Sequence, residues 1–172
     1  MADNDSEQTN ANDSGAQTPA EFALVREVLE SAGLTAEPLK GSLPGYRIDF
    51  MDDGPNVAGV ALILADQSRF VFFLEFLDRG VEEHRAAVAE FIARVNYTLT
   101  VGSFDMNYET VEVRFKVAVD YAGDELRDVF VRTAIVNAME AVETYADLLF
   151  QVMKGEKPAK DAADEGLANA QG

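Results

Sequence analysis

Acid–base or nucleophilic chemistry in this chain would have to use one histidine and no cysteine. The histidine, His84, stands in "EEHRAAV" beside Glu82 and Glu83. A zinc site needs three or four nitrogen, sulfur or carboxylate ligands in register, and no second His or Cys exists to build one. His84 therefore reads as a solvated helix residue. Asp52 and Asp53 lie in "MDDGPN". A calcium loop needs oxygen ligands at alternate positions, a pattern missing here, so the segment reads as a turn. Gly54, Gly59 and Gly102 are not spaced to cradle a phosphate. With 31 Asp and Glu, two carboxylates could flank a scissile bond. So many acids also make neighbours by chance. The residues imply no catalytic set, no metal and no cofactor. The expectation is a protein that is not an enzyme, with a carboxylate-based hydrolase as the remote alternative.

The stretch "RFVFFLEFLD", residues 69–78, is what asks for a function. A strand on the surface of a sheet alternates apolar and polar residues. This one places Phe70, Phe72, Leu74 and Phe76 on one side and Val71, Phe73 and Leu77 on the other. The preceding apolar run, 57–64, is also greasy on both sides: Ala58, Val60, Leu62 and Leu64 alternate with Val57, Gly59, Ala61 and Ile63. The second face must be covered, either by a helix of the same chain, most simply the second, or by another protein. Exposed apolar patches of roughly several hundred Å² usually mark binding sites. On the second option, Ala61, Ile63, Val71, Phe73 and Leu77 are the candidate protein-binding residues. Phe91 and Ile92 on the second helix are candidates for a dimer interface. Arg69 and Asp78 flank the stretch as charged gatekeepers against aggregation.

The elements that position these residues follow from periodicity. Thr18-Pro19 reads as a helix start, with Phe22, Val25, Val28, Leu29 and Ala32 at helical spacing and Gly33 as its stop. Tyr46, Ile48 and Phe50 alternate as a half-buried strand, followed by the 52–56 turn and strands over 57–64 and 69–77. Short links make these an antiparallel meander. Val81 to Val95 predict a second helix ending near Asn96, a residue that tolerates the left-handed conformation past a helix end. Phe104, Met106 and Tyr108 form a fourth strand. Val111 to Tyr121 form a fifth, the cleanest period-two run in the chain. Asp124 is the expected cap of a final helix stopped by Gly155 and Pro158. The domain plan is a disordered acidic tail over 1–17, one domain over 18–154 and a flexible tail over 155–172.

Bulk properties set the limits. A 172-residue chain is a one-domain length, and 48% hydrophobic residues supply a core. No run approaches the roughly 20 apolar residues of a membrane span, and the polar N-terminus has no secretory-signal pattern. Without cysteine there is no disulfide, so the expected compartment is the cytoplasm. The formal net charge is −17. Residues 19–154 alone carry 23 acids against 12 bases, so the folded part is acidic as well as the tails. Nucleic acid and anionic membranes are repelled by such a surface. The acidity either draws a basic partner or serves general solvation, as in salt-adapted proteins.

Residues 88–121, "VAEFIARVNYTLTVGSFDMNYETVEVRFKVAVDY", resemble the YbjN-like family of bacterial sensory transduction regulators. That family's pattern is a helix ending in Asn, then Gly-x-Phe-x-hydrophobic, a turn and a basic-aromatic strand. Asn96, Leu99, Gly102, Phe104, Met106, Val113, Arg114 and Phe115 take those places. The family often has Asp-Gly or Glu-Gly at the turn, where this chain has Glu109-Thr110. The resemblance covers about 19–154 and implies the fold of class I type III secretion chaperones. That fold is α+β: a five-stranded antiparallel sheet with three helices in the order α-β-β-β-α-β-β-α. It also implies a style of action, a small acidic homodimer that holds an extended segment of a client protein. The alternative is a regulatory or sensory adaptor that docks on a signalling or transcription partner.

Overall fold

A computed structural model describes residues 19–41, 43–50 and 56–170. The expected tail over 1–17, the Thr18 cap and all of the 52–56 turn except Asn56 fall outside these residues. Among the described residues, the chain runs α1 (Pro19–Ser31), β1 (Thr35–Pro38), β2 (Gly45–Asp49), β3 (Val57–Leu64), β4 (Arg69–Phe76), α2 (Arg85–Thr98), β5 (Ser103–Asn107), β6 (Glu112–Asp120), α3 (Asp128–Met153) and α4 (Ala159–Asn169). The strands form one antiparallel sheet in the order β1-β2-β3-β4-β6-β5.

The phenylalanine-rich strand β4 lies between β3 and β6, as its two-sided apolar character requires. Phe70, Phe72 and Leu74 are opposite Ile63, Ala61 and Gly59 on β3 and opposite Val119, Val117 and Phe115 on β6. This set faces the helices. α3 crosses β4 and β6 and presents Val131, Ala138, Tyr145, Leu149 and Val152 as its buried stripe, spaced to return on one helical face. Phe104 meets Phe115 and Tyr145 edge-on, with ring centroids 4.8 and 6.1 Å apart. Phe76 meets Phe150 at 5.6 Å. α1 is fixed to β2 by Phe22 stacked on Tyr46 at 4.2 Å and by the Tyr46 hydroxyl donating to the Phe22 carbonyl. Each such buried aromatic contributes about 1.5–3 kcal/mol.

The structure differs from the sequence expectation in its element count. There are six strands and four helices among the described residues, not five and three. β1 carries Glu37 and Pro38 and no apolar alternation, and a short edge is where a sheet tolerates proline. α4 replaces part of the expected loose tail. It packs on α2 and α3 with Ala159, Ala162, Ala163 and Gly166 buried, so the folded unit extends past 154. α3 starts at Asp128, after a turn in which the Asp124 N–H donates to the Tyr121 carbonyl. His84 closes a 3-10 turn before α2 and packs against Gly155 at the end of α3, so it is not a free surface residue.

Candidate protein-binding surface

α3, which packs on the central strands β4 and β6, shares its core with Phe70, Phe72 and Leu74 on one side of the sheet. Of the two coverings the sequence left open, a helix of the same chain or another protein, α2 does not supply the first: it packs on α4, α3 and β5. On the opposite, open face the register brings together Val60 and Phe73, Leu62 and Val71, and Ala58 and Glu75 between β3 and β4. Ala118, Lys116 and Arg114 of β6 continue the rows. The result is an apolar strip of Val60, Leu62, Leu64, Val71, Phe73 and Ala118 along the middle of the sheet.

The strip is rimmed by ion pairs. Arg47 and Asp49 border it on β2 at 3.1 Å, and Arg69 and Asp120 at one end at 3.5 Å. Lys116 reaches Asp105 at 2.8 Å on the far side. The Asp120 carboxyl is held below the usual carboxylate range, first by the Ala122 N–H and then by Arg69. The Arg114 guanidinium lies 4.4 Å above the Phe73 ring, a cation–π contact that shields most of that ring. Phe73 is only 9% exposed, and Val71, between Leu62 and Ala118 on the neighbouring strands, 6%. Val60, Leu62 and Leu64 are half-buried.

The five candidate binding residues do not share a face. Val71 and Phe73 are on the open side, and Leu77, just past β4, is 51% exposed. Ala61 and Ile63 are fully buried against the helices, because the β3–β4 register sets them opposite Phe72 and Phe70. Their places on the open side are taken by Val60 and Leu62, which sequence parity alone could have offered equally. Phe91 and Ile92 both point into the core of the chain's own fold.

Where β4 ends, a groove of about 670 Å³ opens between Leu77, Arg79, Glu75 and the β5–β6 hairpin. It gathers three carboxylates, Glu75, Asp105 and Glu112. Asp105 is engaged by Lys116 and Arg114, and Glu112 by Arg79. The groove thus holds neutralised pairs that suit recognition, with no nucleophile–base couple in it. Among the described residues no cluster of three or more His, Cys, Asp or Glu could hold a metal. No described helix is long and apolar enough to cross a membrane.

The β5 edge is closed differently. Asn96 stays within α2, and its side chain faces Phe104. Its amide nitrogen donates to the Phe104 carbonyl at 2.9 Å, and its amide oxygen accepts the Phe104 N–H at 2.8 Å. Asn96 therefore imitates a neighbouring strand at that residue. Gly102 adopts φ +75°, and a Cβ there would stand 2.6 Å from the Phe115 ring. The Asn, the Gly and the two Phe of the sequence pattern are one physical unit that seals this edge to α2.

The six-stranded antiparallel sheet with its four helices, counted among the described residues, is similar to the type III secretion chaperone fold. The chain is similar to the solved structure entitled "Crystal Structure of the ExsC-ExsE Complex", with a TM-score of 0.51 and 18% identity, covering 78% of this chain and 97% of that one. A family model, YbjN, described as "Putative bacterial sensory transduction regulator", matches residues 21–151, and the chain belongs to that family. No curated protein matches the sequence.

Proposed function

We propose that this protein is a non-enzymatic binding module of the bacterial cytoplasm, which holds an extended segment of a client protein along the open face of its sheet and works as a homodimer. The observation that carries this reading is the apolar strip of Val60, Leu62, Val71 and Phe73, which lies outside the core that α3 shares with Phe70, Phe72 and Leu74. The segment it suits is apolar with interspersed polar residues, since the rim pairs Asp49, Asp105 and Asp120 with Arg47, Lys116 and Arg69, and the net charge of −17 on the whole chain favours a basic one at long range. The similarly folded solved structure is itself a complex of two named proteins, which supports a protein partner.

The test is equilibrium binding of a fluorescein-labelled peptide alternating leucine and lysine, at low salt and at 0.5 M salt. Leu62→Asp, at a half-buried position, is expected to weaken binding at least tenfold while the helical circular dichroism stays unchanged. Equal binding by the two proteins would remove the open face as the site. The family description favours a second reading, an adaptor that docks on one folded regulatory partner. Affinity capture separates the two: a folded signalling or transcription protein retained in place of an unfolded segment decides for the adaptor.

A further inference from the structure

α4 (Ala159–Asn169) lies beyond the family match, which stops at residue 151. It fills a groove between α2 and α3. Gly166 sits so close to the Tyr145 ring and Leu148 that a Cβ has no room. Its ion pairs, Lys157 with Glu165 and Lys160 with Asp164, stay within its own segment. Among the described residues no salt bridge or side-chain hydrogen bond ties it to the rest of the fold. An isolated helix of this length is not stable in water, so α4 is helical only while seated.

The connection between α3 and α4, residues 154–158, turns back on itself. In the turned-back state Gly155 adopts φ +71°, and a Cβ there would stand 2.5 Å from the His84 ring. The Glu156 N–H donates to the Gln151 carbonyl at 2.8 Å to hold this turn. Pro158 stops α3 from running on as one helix into α4. An extended hinge makes no such demand for glycine at 155.

We propose that a second copy of this chain docks by exchange of α4, each copy's helix leaving its own α2–α3 groove and filling the other's. α4 is a helix shown to fit this groove, and an identical one fits equally. Exchange keeps the buried contacts and opens only the hinge, the low-cost route to a dimer. The exchanged surface is a row of alanine and glycine, Ala159, Ala162, Ala163 and Gly166, with no charge to desolvate. A five-residue hinge spans at most about 17 Å, so exchanging copies must touch. Tyr97, 92% exposed, and Val101, 45% exposed, border the end of α4 beside Leu167 and are the apolar groups such a touch would cover. The exchange supplies the second copy in the proposed function and is independent of what the open face binds.

The experiment is sedimentation of the full chain over a wide concentration range. Gly155→Ala penalises only the turned-back hinge, by about tenfold per chain, so the dimer association constant is expected to rise about a hundredfold. Adding Gly166→Leu, which cannot seat beneath Tyr145 in either copy, is expected to abolish that dimer. A second measurement needs no disruptive change: single variants Ala93→Cys and Ala163→Cys, on opposite walls of one groove, are mixed and oxidised. Exchange predicts a disulfide between the two chains that Gly166→Leu suppresses. A Gly155→Ala protein that stays monomeric, a dimer that survives Gly166→Leu, or no inter-chain disulfide overturns the proposal. Peptide binding at Leu62 is unaffected in each of these outcomes, so the two readings fail separately.

Discussion

Asn96→Ala tests whether the β5 edge is closed by a side chain in place of a strand. In the folded protein the Asn96 amide satisfies both the N–H and the carbonyl of Phe104, a residue 2% exposed. Alanine leaves two backbone groups without partners where water has little access. Each such group costs about 1–3 kcal/mol, so the expected loss for two is about 2–6 kcal/mol. Measured against a total of roughly 5–15 kcal/mol for a domain, the variant still folds, with a melting temperature lower by about 5–15 °C. Urea denaturation gives the free energy, and native-state hydrogen exchange gives the residue. The Phe104 amide, on an edge strand, is protected in the natural protein and exchanges with solvent much faster in the variant. A loss below about 0.5 kcal/mol, or unchanged protection at Phe104, would refute the edge-capping role. It would also leave the Asn in the family pattern without a physical reason.

Two further predictions use single contacts. The buried Tyr121 hydroxyl donates to Glu21 at 2.8 Å, and burial first, then this hydrogen bond, hold its pKa above the ordinary value of about 10. The unfolded chain releases that proton at lower pH than the folded one. The stabilisation is therefore complete below about pH 10 and is lost as pH rises further. Tyr46 adds in the same direction through burial. Tyr121→Phe is expected to lose about 1 kcal/mol at pH 7 and to show a shallower alkaline decline in urea midpoints; parallel declines would refute the coupling. Val111 is 2% exposed yet adopts φ +56°, a left-handed conformation costing about 1–2 kcal/mol for a side chain. Val111→Gly relieves this and Val111→Ala does not, so glycine is expected to be no less stable than alanine, the reverse of the usual order in a strand-flanking site; thermal melts of the two variants decide it.

What could be read before the structure was what repeats along one element. The period-two run from Val111 to Tyr121 becomes β6, and the apolar stripe over 126–152 becomes α3, because each buries one face against a single large neighbour. β1 and α4 escape that logic. β1 is four residues on an edge, held by backbone pairing to β2, so its side chains need not be apolar. α4 buries alanines and a glycine, whose small size allows close approach of helices and leaves no hydrophobic signature to distinguish it from a loose tail. Both are elements whose stability comes from the surface they meet.

The binding surface was half legible for a related reason. That β3 and β4 are apolar on both sides follows from their residues, but which side faces the helices depends on neighbours. Period two gives two equivalent parities, and a one-residue change of register turns every side chain over. On β4 the choice is forced by bulk, since three phenylalanines and a leucine outweigh Val71, Phe73 and Leu77 and claim the core. On β3 the two sets, Val57-Gly59-Ala61-Ile63 and Ala58-Val60-Leu62-Leu64, differ little, and the larger set is the one left on the open face. The smaller set is needed inside: Gly59 leaves room for the Ile48 and Phe50 side chains, and a Cβ there would stand 3.0 Å from the Ile48 Cβ. In the middle of β4 Phe72 and Leu74 fill the core against Ala61 and Gly59, the two small residues of β3, while the larger Val60 and Leu62 face outward, where they form the strip on which the proposed function rests.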